Sequence, residues 1–147
     1  MNRVALLLAA ALCGCASVDL SFKAVGFRGV AAESVHALLK EVIAAHFQGL
    51  VIRADPASGR IETDFVEFHT RKGLRREQVL ARVERGDGGT VRVELMAPMA
   101  EMVVDATAAA PVAWRVLGSD VRVERSLLEE LAGRVQLEYP DSVLLAR

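Results

Sequence analysis

Residues 79–97 read Val79-Leu80-Ala81-Arg82-Val83-Glu84-Arg85-Gly86-Asp87-Gly88-Gly89-Thr90-Val91-Arg92-Val93-Glu94-Leu95-Met96-Ala97. Val79, Ala81 and Val83 alternate with Leu80, Arg82 and Glu84. After the turn, Val91, Val93, Leu95 and Ala97 alternate with Thr90, Arg92, Glu94 and Met96. Successive strand residues point to opposite faces, so each run has one apolar and one polar face. Gly86-Asp87-Gly88-Gly89 supplies the turn between them. The stretch predicts a hairpin in an antiparallel sheet with one wetted side.

Upstream, Leu50 to Ala54 and Arg60 to Phe68 predict a first hairpin around the turn Asp55-Pro56-Ala57-Ser58-Gly59. There Pro56 sets φ and Gly59 permits a positive φ. Ile61, Thr63 and Phe65 share one face and Arg60, Glu62 and Asp64 the other. Val66 and Phe68 break that phase, which marks a bulge or strand end. Further upstream, Val35, Leu38, Leu39, Val42, Ile43, His46 and Phe47 recur with a period near 3.6 and predict an amphipathic helix. Glu33 suits its first turn, and Gly49 suits the position beyond its end.

Downstream, Leu127, Leu128, Leu131 and Val135 form a second helical stripe that Pro140 closes. Either Asp120 caps a helix starting at Val121, or Ser126 and Glu129 form a capping box after a strand over 121–124; the longer helix is favoured. The polar stretch His69 to Arg76 is read as a connection. Residues 96–113 carry few charges and no period, and read as a long loop. Such loops are uncommon in compact domains unless functional. The resulting fold is α+β: a two-layer sandwich of a four-stranded antiparallel meander, with an N-terminal and a C-terminal helix on one face. The domain spans 30–138, after a tether over 15–29 and before a tail over 139–147.

The chain has 147 residues, 52% hydrophobic, with a formal net charge of −1. The length fits one domain, and near-neutral charge argues against a nucleic-acid partner. The apolar run of residues 4–13, preceded by Arg3, rises only about 15 Å as a helix, against a hydrocarbon core of about 30 Å. It reads as the h-region of a signal peptide over 1–14. The following Leu12-Cys13-Gly14-Cys15 resembles the bacterial lipobox. That resemblance implies cleavage before Cys15, diacylglycerol on its sulfur, and anchoring through the N-terminal lipid. Ala16 after the cysteine implies the outer membrane, with the domain facing the periplasm. The alternative is an ordinary secretory signal cleaved nearby, for instance after Ala16.

The segment Val51-Ile52-Arg53-Ala54-Asp55-Pro56-Ala57-Ser58-Gly59-Arg60-Ile61-Glu62-Thr63-Asp64-Phe65, following a helix, resembles small bacterial envelope lipoproteins. It is similar to the helix-grip repeats of lipoprotein C of the outer-membrane β-barrel assembly machine. Trp114 before an acidic helix fits the same pattern, which extends over roughly 30–136, whereas Phe65 stands where Trp is usual. The resemblance implies an α+β fold and an envelope location, with function by analogy only.

Candidate sites are few. The three histidines, His36, His46 and His69, include no i, i+4 metal pair, since ten residues of helix place His46 about 80° out of register with His36. His46 lies on the apolar stripe and is read as a core or boundary residue. Glu62 and Asp64 are read as partners of strand arginines such as Arg82 or Arg92. Arg71, Lys72, Arg75 and Arg76 form a basic cluster that can meet an anionic ligand, such as the phosphates of lipid or lipopolysaccharide. Met96, Met99 and Met102, with Val103 and Val104, form the candidate partner contact, because methionine suits adaptable apolar surfaces. No catalytic motif, metal set or cofactor fingerprint is present. The expected function is a non-enzymatic, lipid-anchored interaction or accessory assembly module that meets an envelope protein. The alternative is a lipid- or lipopolysaccharide-binding lipoprotein, as the lipopolysaccharide-assembly lipoprotein has a related layout. The oligomeric state is left open.

Overall fold

The structure is a computed structural model that describes residues 20–48, 50, 52–104, 107 and 112–145. The signal peptide, the lipobox with Cys15, and Gly49 lie outside the described residues. The described chain is α+β, with two helices and ten strands in two antiparallel sheets.

The first sheet runs in the order β10 (Val143–Leu145), β1 (Lys23–Arg28), β7 (Thr90–Met96), β6 (Leu80–Arg85), β3 (Arg60–Thr63), β2 (Ile52–Asp55). The quoted hairpin is its centre, with Val83 opposite Val93 and Ala81 opposite Leu95. As the alternation requires, Ala81, Val83, Val91, Val93 and Leu95 are buried. They meet Val35, Leu38, Leu39, Val42 and Ile43 of α1 (Ala32–His46) and Leu127, Leu128, Leu131 and Val135 of α2 (Val121–Glu138) in one core. Both helices therefore cover the same face of this sheet, and they also pack on each other. Asp120 accepts from the backbone N–H groups of Arg122 and Val123 at 3.0 and 3.2 Å, so the longer second helix forms with a side-chain cap. Gly59 adopts φ +70°, and a Cβ there would lie 2.0 Å from the Val83 carbonyl oxygen. Its own carbonyl accepts from Val83 N–H at 2.8 Å, so the turn is clamped against β6.

The expected four-stranded meander with terminal helices is corrected in three places. Strand β1 lies inside the expected tether and adds Val25 and Phe27 to the core, and β10 lies inside the expected tail. Their six and three residues are short beside the N-terminal apolar run and the final helix, which dominate the reading of those ends. The polar stretch 69–76 is half of a hairpin, β4 (Val66–Thr70) with β5 (Gly73–Glu77). Within the expected loop 96–113, Pro98–Val104 form β8, which pairs with β9 (Val112–Ser119), while 105–106 and 108–111 lie outside the described residues. A register shift between Met99 and Ala100 breaks the two-residue period, which hides the strand from pattern reading.

Strands β4, β5, β8 and β9, in that order, form the second sheet. The pair β3–β6 continues as the pair β4–β5, so one ribbon leaves the first sheet and enters the second near residues 64–65 and 78–79. Val79 N–H donates to Thr63 Oγ1 at 2.9 Å, and Thr63 N–H donates to the Val79 carbonyl at 3.1 Å. Gln78 N–H donates to the Pro98 carbonyl and Asp120 N–H to the Ala97 carbonyl. These bonds satisfy backbone groups where the strands change sheets.

Candidate interaction site

The second sheet carries the residues whose chemistry the core does not consume. Arg76 of β5 reaches between two rings. Its guanidinium carbon lies 4.1 Å from the Phe65 ring centroid and 4.2 Å from that of Trp114 on β9. Both distances are within cation–π range. Phe65 is nearly half exposed, in the link between β3 and β4. The opposite face of β5 carries Arg75, because neighbouring strand residues point oppositely. Arg75 stands in register with Glu101, and Glu101 with Arg115. Glu101 Oε2 accepts from Arg115 at 2.7 Å, and Arg75 lies 3.6 Å from its other oxygen. The Arg115 hydrogen bond holds the Glu101 carboxyl below its usual range, with the Arg115 and Arg75 charges acting the same way.

The basic cluster is thus divided. Arg71 and Lys72 sit exposed at the β4–β5 turn, which Thr70 closes by donating to the Gly73 carbonyl. Arg75 is neutralised by Glu101, and Arg76 is stacked on the other face. The methionines are also divided. Met96 is buried, Met99 and Met102 are half-buried, and Val103 and Val104 are exposed near the end of β8. Among the partner-contact residues, Met102 stands in register with Trp114 and Val104 with Val112, itself exposed.

At the seam with the first sheet lies a pair of carboxyls that the sequence did not single out. Glu77 and Glu124 are both buried. Glu124 accepts from Ala97 N–H at 3.1 Å, while its second oxygen and Glu77 Oε1 have no hydrogen-bond partner among the described residues. Burial pushes the Glu77 carboxyl up to about 7, with the charges of Asp120 and Glu124 adding to it. Split carboxyl pairs can run acid–base chemistry, but only where a substrate reaches them. Glu77 lines neither of the two cavities below. The only sequence signal was a lone Glu at the end of a polar stretch.

Two cavities stand out. One, of about 650 Å³, opens between the start of α1, the β2–β3 turn and the end of β6, where Arg85 pairs with Glu33. His36 lines it and is buried, donating from Nε2 to the Arg60 carbonyl at 3.2 Å. The histidine expected at the core boundary, His46, is instead exposed on the last turn of α1, its ring edge-on to Phe47. His69 is exposed on β4. The carboxylates Glu62 and Asp64 pair with Arg53, at 3.3 and 3.0 Å, because β2 is the neighbour of β3. The arginines expected to meet them, Arg82 and Arg92, pair along their own strands with Glu84 and Glu94.

The second cavity, of about 210 Å³, lies where the helix-free face of the first sheet, at Leu80 and Met96, meets Arg76, Ala100 and Val116 of the second. Among the described residues, no three His, Cys, Asp or Glu side chains are grouped to hold a metal ion. No described helix is long and apolar enough to cross a membrane. No model of a known protein family matches the chain, and no curated protein matches it in sequence.

Proposed function

We propose that this chain is a non-enzymatic, lipid-anchored protein of the outer membrane that docks an envelope protein through its second sheet. The observation that carries the docking surface is the Phe65–Arg76–Trp114 stack, on a sheet against which no helix packs extensively. Trp and Arg dominate the few positions that supply most binding energy at interfaces, and stacking removes the rotamer freedom that binding would otherwise have to remove. Exposed Val104 and Val112 beside the stack extend the apolar surface. The anchor rests on the lipobox resemblance at Cys15, and the compartment on Ala16.

The test is site-specific photo-crosslinking in intact envelopes. A crosslinking residue at Val104 should capture one reproducible protein partner, while one at Glu130, exposed on α2, should not. Equal capture from both positions, or from neither, refutes the docking surface. Cys15→Ala should move the chain from the membrane to the soluble periplasmic fraction. Continued membrane association after that change refutes the anchor.

A further inference from the structure

The cavity between the two sheets is walled by Leu80, Met96, Pro98, Met99, Ala100 and Val116, with Arg76 at its edge. Its other polar neighbour, Gln78, already spends its side-chain amide donors on the Thr63 carbonyl at 2.9 Å and Glu62 at 3.2 Å. Arg76 is different. It forms no ion pair among the described residues, and its Nε is buried without a hydrogen-bond partner. Its register neighbour on β4, Glu67, is exposed and adds only a Coulombic influence. Contact with two rings restrains the guanidinium, so its N–H fork is held near one place before any ligand arrives. Such a fork matches the two oxygens of a carboxylate or one edge of a phosphate or sulfate.

We infer that this cleft binds a single-chain anionic amphiphile, its hydrocarbon end between the sheets and its acidic head on Arg76. The volume selects the occupant. About 210 Å³ is the room of roughly seven liquid waters, below the range of drug-sized pockets. It has room for one chain end and not for several acyl chains together. The lining selects against a polar metabolite, which would leave its hydrogen-bonding groups unpaired among Leu80, Met96 and Val116. The cation selects against a neutral alkane or alcohol. This inference goes beyond the docking of a protein partner and does not depend on it.

The test uses the full chain carrying Cys15→Ala, purified without detergent, and titrates decanoate and 1-decanol by calorimetry. Decanoate should bind one per chain and more tightly than decanol. Arg76→Met keeps the apolar stem and should weaken decanoate about five-fold, the worth of one cation near an anionic group, while leaving decanol unchanged. Val116→Phe should fill the cleft and weaken both ligands at least ten-fold. If that variant does not fold, Met99→Trp plugs the same cleft from β8. Equal decanoate affinity in Arg76→Met and the parent overturns the role of the cation, and unaltered binding in a folded plug variant overturns the site. Binding by the Cys15→Ala chain but none by the native lipidated chain also overturns it, by assigning the cleft to the protein's own acyl chains. Crosslinking from Val104 reads the docking surface independently.

Discussion

The six-stranded sheet lays Val25, Phe27, Ile61, Val93 and Leu95 under two helices, and these side chains are almost wholly removed from water. The four-stranded sheet contributes none of its strand residues to that core. It is held by its ladders, by the Arg75–Glu101–Arg115 row on one face, and by the Phe65–Arg76–Trp114 stack on the other. Burial is worth about 25 cal/mol per Å² and needs no fixed orientation, so it makes a stable scaffold. Charged and aromatic contacts at partial exposure are each worth far less, and they leave oriented groups facing outward. The first sheet thus makes the fold, and the second presents the surface.

The largest effect that separates the two regions is expected from the core. Leu131→Ala should cost about 2–5 kcal/mol in denaturant unfolding, the range for deleting a buried leucine side chain. A cost below about 1 kcal/mol would show that the helix layer is not the scaffold.

The seam between the sheets comes next. The Glu77 carboxyl is pushed up from 4.5 to about 7 in the folded chain. Below 4.5 it is protonated whether the chain is folded or not. As pH rises toward 7, the unfolded chain gives up this proton first, so folded stability falls across that window and then levels. The loss should be on the order of 2 kcal/mol. Glu77→Gln, which stays neutral, should flatten the profile of melting temperature between pH 5 and 8. An unchanged slope would remove Glu77 from the seam's proton balance.

Within the second sheet, Trp114→Ala should lower global stability by only about 1 kcal/mol or less, the size of a partly exposed cation–π contact. The same change should abolish partner capture from Val104. A large stability loss with capture intact would invert the roles of the two sheets. The smallest effect is expected at Arg53, exposed and bridging Glu62 and Asp64 on the edge of the first sheet. Arg53→Ala should shift unfolding by less than about 0.5 kcal/mol.

Legibility in the sequence follows the same division. Where one face is buried and the other wet, the pattern is written in side-chain type, as in the 79–97 hairpin, α1 and α2. Strand β4 alternates Val66 and Phe68 with Glu67 and His69, but out of phase with β3, and β5 buries only Glu77, so the ribbon carries no single continuous pattern. Arg71-Lys72-Gly73, between runs containing Phe68 and Leu74, was the available hairpin signal. Strand β8 has buried residues, but the shift at Met99 and Ala100 moves them out of phase. Of the candidate site, Arg76 was visible as one of four basic residues. Its isolation from Arg75 was not, because that depends on which face each residue takes.

The sequence by itself determined the α+β class, the two helical stripes and the central hairpin, because burial contrast is a periodic property of the chain; it favoured Asp120 over the Ser126–Glu129 box as the second helix start without deciding between them. Tertiary structure alone decided that a ribbon leaves one sheet to start another. It also placed Phe65 and Trp114, forty-nine residues apart, on either side of one guanidinium, and Glu77 beside Glu124 out of water. Those juxtapositions depend on register and on strand twist, which no single side chain encodes. They arise only when distant segments satisfy one another's backbone hydrogen bonds.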